Sequence, residues 1–128
     1  MQYEYFYGAQ AEQFSFYRIP KALFTEPNFR ELSTDAKVLY GILLDRMSLS
    51  LKNQWLDAQN KVYIIFTVDE IMDALNCANQ KATRLMVELE KRAGLIERKR
   101  QGLGRPNLIY VKNFAATING KSCEKGDS

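Results

Sequence analysis

The segment TVDEIMDALNCANQKATRL, Thr67 to Leu85, contains two helices and the break between them. Thr67 and Glu70 stand at capping-box spacing, in which each side chain satisfies one free amide at a helix start. A short helix over Val68–Leu75 is predicted, burying Ile71 and Leu75. NCAN then supplies a break of three to four residues. The following run, QKATRLMVELEKRAG, places Ala82, Leu85, Met86 and Leu89 on one apolar face. Gly94 stands where a left-handed C-cap ends such a helix.

Working outward toward the C-terminus, Leu95–Gln101 and Asn107–Lys112 are predicted strands. GLGRP joins them, its glycines permitting the turn. A capped helix, a tight turn, a second helix and a basic hairpin make a helix-turn-helix followed by a wing. The fold class is therefore α+β: a winged helix-turn-helix with an additional N-terminal arm and β-hairpin.

Toward the N-terminus, LSTDAKVLYGILLDRMSLS is predicted helical. Ser33 is its N-cap, Asp35 complements the helix dipole, and Leu39, Ile42, Leu43 and Met47 form one core-facing stripe. WLDAQNKVYIIFT is predicted as a hairpin, with turn residues at Asp57–Asn60 and β-branched and aromatic residues at Val62–Phe66. Phe14–Arg18 is a short strand ended by Pro20. The first 17 residues carry seven aromatics. With almost no cation before Arg18 they are poor nucleobase stackers. This arm is expected to pack on its own domain or on a second copy. The expected divisions are an arm over 1–13, a winged-helix domain over 14–114 and a tail over 115–128.

A length of 128 residues suits one domain. No apolar run is long enough to span a bilayer, and MQYEYFYGAQAEQ has no basic leader or apolar core of a signal peptide. A cytoplasmic location without membrane contact is expected. Cys77 and Cys123 are far apart and the chain has no histidine, which excludes a Cys/His zinc site. A disulfide is not expected in a reducing compartment. Cys77 is predicted to be a half-buried small residue, and Cys123 a tail residue.

The net charge of +3 is unevenly distributed. Residues 1–80 hold seven basic and ten acidic side chains, whereas residues 81–112 hold nine basic and three acidic. Positive charge confined to one span fits an electrostatic footprint on a polyanion. Asn79, Gln80, Lys81, Thr83 and Arg84 lie near the start of the second helix, away from its apolar face. Asn and Gln pair with adenine edges, Arg and Lys with guanine. Arg98, Lys99, Arg100 and Arg105 belong to the wing, with Arg98 and Arg100 on one strand face and Lys99 on the other. Each cluster also has an ordinary explanation, as a solvated helix face or as charges guarding a sheet edge. Their meeting in one supersecondary unit favours double-stranded DNA as the partner. Catalysis has little support, because no nucleophile–histidine pair or phosphate-binding loop is present. No cofactor or metal is expected.

FSFYRIPKALF, LSTDAKVLYGILLDRMSLS, VYIIFT and GLIERKRQGLGRPNLIYVKNF together resemble the N-terminal domain of the RepA_N plasmid replication initiators of Gram-positive bacteria. The resemblance runs from about Tyr5 to Phe114. It implies a winged-helix homodimer binding repeated origin sites, or iterons. It also implies a C-terminal domain beyond this chain that engages host replication proteins. Asn76 and Ala78 depart from the glycine and serine that the family often has in the turn, and Asn79 and Gln80 replace charged residues. Asparagine tolerates a left-handed backbone, so the turn is expected to survive, with capping shifted to Asn79. The aromatic arm, Tyr3, Tyr5, Phe6 and Tyr7, is the candidate dimer interface.

The leading expectation is sequence-specific DNA binding that initiates plasmid or mobile-element replication. Two alternatives remain open from the sequence: a winged-helix transcription repressor, and a protein-interaction module of a replication complex.

Overall fold

The computed structural model describes residues 2–8 and 13–115. A short helix α1 (Ala22–Thr25) and a 3₁₀ turn (Pro27–Phe29) precede the long helix α2 (Thr34–Lys52). Helices α3 (Val68–Leu75) and α4 (Asn79–Val87) follow, and α4 continues into a π-helical turn over Glu88–Arg92. Strands β1 (Ile96–Lys99) and β2 (Leu108–Val111) pair antiparallel, with Ile96 opposite Val111 and Lys99 opposite Leu108. Among the described residues this is the winged helix-turn-helix expected from the sequence. The strands are shorter than predicted, because pairing stops where the glycine-rich turn begins.

The predicted α2 stripe faces the core: Leu39, Ile42 and Leu43 are buried, and Met47 packs against them half-buried. From the other side come Ile71 of α3, Ala82, Leu85, Met86 and Leu89 of α4 and its π turn, and Ile96 and Ile109 of the wing. Leu75 is half-buried at the edge of this cluster. Burying a side chain of this size stabilises by about 1.5–3 kcal/mol, so the shared core fixes how α4 and the wing sit on α2.

Polar contacts reinforce the same arrangement. Ser33 caps α2, its Oγ accepting from the Ala36 amide at 3.1 Å. Glu88 completes the cap from across the molecule, accepting from both the Ser33 amide and its Oγ. In an ordinary capping box the N3 side chain makes that return bond; here N3 is Ala36, and a carboxylate from the end of α4 substitutes for it. Tyr40 of α2 donates to the Lys112 carbonyl at the end of the wing, 2.8 Å away, and burial pushes its phenol up to about 12. Arg46 of α2 pairs with Glu70 and lies over the Phe66 ring, which fastens the start of α3.

Two strand expectations need correction. Phe14–Arg18 forms no strand. It runs along α2, where the absent side chain of Gly41 makes room: a Cβ there would stand 2.8 Å from Ile19 Cγ1 and 3.0 Å from the Arg18 carbonyl oxygen. A strand needs a partner edge, and a helix surface offers none. Val62–Phe66 is not a continuous strand either, because its hydrogen bonds are divided. Val62 bridges to Leu56 within the predicted hairpin, whereas Ile64 exchanges both backbone bonds, 2.9 Å each, with Ile109 of β2. The wing thereby gains a third strand at one rung. Residues 116–128, including Cys123, and residues 9–12 of the arm lie outside the described residues.

Candidate nucleic-acid interface

The turn between α3 and α4 forms as the sequence implies. Thr67 and Glu70 make both bonds of the capping box. Asn76 closes α3 with φ 55° and ψ 51°, the left-handed conformation expected of it. The cap of α4 differs from the expectation. Ala78 occupies the N-cap position and makes no side-chain cap bond, while Asn79 is already the first helical residue. Its Oδ1 receives a weak bond from Thr83 Oγ1 at 3.5 Å, one turn along. A first-turn side chain points away from the amides it would have to cap, so capping does not shift to Asn79.

Asn79, Gln80, Thr83 and Arg84 are exposed on the side of α4 opposite its buried face. Val87 extends the same surface one turn further, at 40% exposure. Lys81 stands apart. It is half-buried, and its ammonium lies 2.7 Å from Asp35 in the first turn of α2.

The wing cations also divide. Strand alternation does put Arg98 and Lys99 on opposite faces, but the Arg98 face is the one that turns toward the core with Ile96. There Arg98 meets Glu90 of the π turn. Its backbone N–H donates to Glu90 Oε2 at 3.0 Å, its Nε to Oε1 at 2.9 Å, and its Nη2 lies 2.8 Å from the same oxygen. Burial alone would raise the Glu90 carboxyl; the Arg98 amide and guanidinium outweigh it and hold the group below its ordinary range. Lys99, Arg100 and Arg105 are exposed. At the tip, Gly102 and Gly104 have φ of 118° and 78°, and Gln101 Nε2 donates to the Pro106 carbonyl at 2.8 Å, tying the loop at its base.

The profile of the family described as the N-terminus of replication initiator protein A matches residues 15–125. The chain belongs to the RepA_N family. A relative named 41 kDa protein, from Lactobacillus helveticus, is 33% identical over 103 residues, covering 80% of this chain and 28% of the relative. This RepA_N chain thus spans under a third of the length of the curated relative it matches. Three solved structures share its fold. One described as the N-terminal domain of a DNA binding protein matches with a TM-score of 0.72 at 35% identity, covering 99% of this chain and 98% of the other. One described as a Rep–DNA complex matches with a TM-score of 0.72 at 38% identity, covering 86% and 84%. One described as an MDR initiator matches with a TM-score of 0.69 at 40% identity, covering 86% of each.

In this RepA_N domain, sequence reasoning missed Glu88, Glu90, the π-helical turn that carries them, and Val87. Glu88 and Glu90 were not singled out in the sequence, yet both reach off the helix to fasten it. The π-helical turn that aims them leaves no mark in hydrophobic periodicity. Val87 was detectable as an apolar residue off the buried stripe. In the arm, Tyr3, Tyr5, Phe6 and Tyr7 are all exposed, from 60% for Phe6 to 84% for Tyr5. Phe6 meets Phe14 edge-on at 5.9 Å, and Phe14 meets Phe16 edge-on at 6.3 Å.

Proposed function

We propose that this domain binds double-stranded DNA sequence-specifically at repeated origin sites and so initiates replication of a plasmid or mobile element. One observation carries the reading. Asn79, Gln80, Thr83 and Arg84 share an exposed face at the start of α4, beside a wing that exposes Lys99, Arg100 and Arg105. A helix start with such side chains fits the major groove, and cations on an adjoining hairpin fit flanking phosphates or the minor groove. The likeness to a solved Rep–DNA complex supports it.

Within this interface the roles are unequal. Asn79, Gln80, Thr83 and Arg84 read bases; Lys99, Arg100 and Arg105 hold the backbone. Lys81 exchanges Asp35 for phosphate on binding, because a surface pair of this kind is worth only about 0.2–1 kcal/mol. Arg98 acts through Glu90 as a strut that positions the wing. The winged-helix domain covers 14–114, and residues 115–128 lead toward a C-terminal domain that engages host replication proteins. The relative's greater length supports a further region beyond this domain. The arm over 1–13 joins two copies through Tyr3, Tyr5, Phe6 and Tyr7, whose exposure leaves apolar area available to a second chain. The protein works in the bacterial cytoplasm and performs no catalysis of its own.

The deciding experiment measures anisotropy of labelled duplexes carrying the repeats beside the gene, against scrambled duplexes, over a range of salt. Preference for the repeats, with affinity falling steeply as salt rises, is expected. Equal affinity for both duplexes at physiological salt overturns specific readout and favours an interaction module. Replication of a plasmid carrying the complete reading frame separates initiator from repressor. Sedimentation of the chain with and without residues 1–13 tests the dimer.

A further inference from the structure

Among the described residues, the most exposed large apolar side chain is Leu103, at 105% of its reference area. Single exposed leucines are ordinary on protein surfaces. Several features set this one apart. It stands at the apex of the wing between Gly102 and Gly104, and a Cβ at either glycine would meet nothing within 4 Å. The leucine is therefore the one sizeable side chain at the tip, with no flanking bulk to shield it. The loop beneath it is tied by the Gln101–Pro106 bond and by the Arg105 amide, which donates to the Gly102 carbonyl at 3.3 Å. Its strand is clamped to the π-helical turn after α4 through Arg98 and Glu90. The tip is thus held out by the fold with its apolar group foremost.

The surroundings of Leu103 specify its counterpart. Arg100 and Arg105 stand three and two residues from Leu103 and both are exposed, so positive charge accompanies the apolar tip to any surface it approaches. An aliphatic side chain accompanied by cations matches the minor groove, where phosphates line both walls and the base stack lies between them. Leucine and similar residues enter that groove as wedges that part a base step and bend the duplex. Pyrimidine–purine steps unstack with least resistance.

We propose that Leu103 is such a wedge, entering the minor groove beside the repeat and partly unstacking a base step there. The inference rests on the DNA-binding reading above. It adds a contact that releases no counterion and a sequence preference that no hydrogen bond carries. Leu103 confers deformation specificity at a flanking step, whereas α4 reads the repeat itself.

Salt separates the wedge from the charges around it. A short duplex enriched from a random pool by the unaltered chain is labelled with 2-aminopurine at successive flanking positions, and with a donor–acceptor dye pair at its ends. The chain, Leu103→Ala and Arg105→Ala are compared over a range of salt. Leu103→Ala is expected to weaken binding by roughly three- to tenfold, by the same factor at every salt concentration. It also loses the fluorescence rise at one flanking position and straightens the duplex. Arg105→Ala instead makes the salt dependence shallower, by about one unit of slope per lost phosphate contact. Wild-type affinity and fluorescence in Leu103→Ala would overturn the wedge and leave DNA binding intact. A change in salt slope with Leu103→Ala would also overturn it, because the leucine would then act through the neighbouring phosphate contacts. If the unaltered chain enriches no duplex, the DNA-binding reading fails and the wedge with it. Because Leu103 touches no core residue, circular dichroism should show both variants folded.

Discussion

Glu90 holds Arg98 by its backbone amide and its guanidinium at once, so the π-helical turn after α4 and the first strand of the wing move as one piece. Helix and wing are the two parts proposed to touch a duplex, and the Glu90 carboxylate fastens one to the other beyond what their shared core supplies. The pair is largely shielded, with side-chain exposures of 25% for Arg98 and 16% for Glu90.

Glu90→Gln keeps the shape of the side chain and removes its charge. It is expected to destabilise the domain by about 1–3 kcal/mol, since Arg98 keeps a poorer partner in a shielded position. Because Arg98 holds the Glu90 carboxyl below its ordinary value, the stabilisation is present above the unfolded-state pKa and is lost as pH falls through the lower folded-state one. Thermal melts over acidic pH should therefore show stability declining below about pH 4, with a shallower decline in Glu90→Gln. Equal pH profiles for the two proteins would remove Glu90 from the acid response.

Asp35 draws Lys81 away from the exposed face of α4. Asp35→Asn should lower stability by less than about 1 kcal/mol, given the exposure of the pair and the modest helix-dipole term. DNA affinity should rise several-fold, because a negative charge beside the interface disappears and Lys81 is released. Isothermal unfolding and anisotropy titration on the same preparation check both parts.

Asn76 tolerates a left-handed backbone at some strain, which glycine would relieve and alanine would increase. Asn76→Gly is expected to be neutral or slightly stabilising, and Asn76→Ala to destabilise by about 1–2 kcal/mol. Urea midpoints should shift in that order with unchanged slopes.

Gly41→Ala improves helix propensity by about 1 kcal/mol but sets a methyl group against Ile19 and the Arg18 carbonyl. The carbonyl is backbone and cannot rotate aside. A net loss of roughly 1–3 kcal/mol is expected, along with faster proteolysis over residues 14–19. A stabilised variant would show that this segment yields easily.

The helix-turn-helix was legible because its determinants are local. The spacing of Thr67 and Glu70 and the apolar positions from Ile71 to Leu89 define Val68–Leu75 residue for residue, and Asn76 marks the turn. Long-range determinants were not legible. Alternation puts Arg98 opposite Lys99, but only the packed sheet decides which of them looks inward at Glu90. Val62–Phe66 has strand composition, yet its bonds are divided between Leu56 and Ile109 by how the hairpin meets the wing. The arm shows the same dependence: Phe14–Arg18 has the residues of a strand and lies on a helix, where no edge can pair it.

The bond between Ser33 and Glu88 spans 55 positions of the chain. Ser33 Oγ caps the first turn of α2 locally, and Glu88 adds the other half of the cap only once the chain has closed. The cap of α2 is therefore complete only when the end of α4 has packed against it. Such closure raises the entropic barrier to folding and makes the transition more all-or-none. Fragments ending before Glu88 should therefore fray at the start of α2, and cutting the chain between the two residues would loosen the end of α4 along with it.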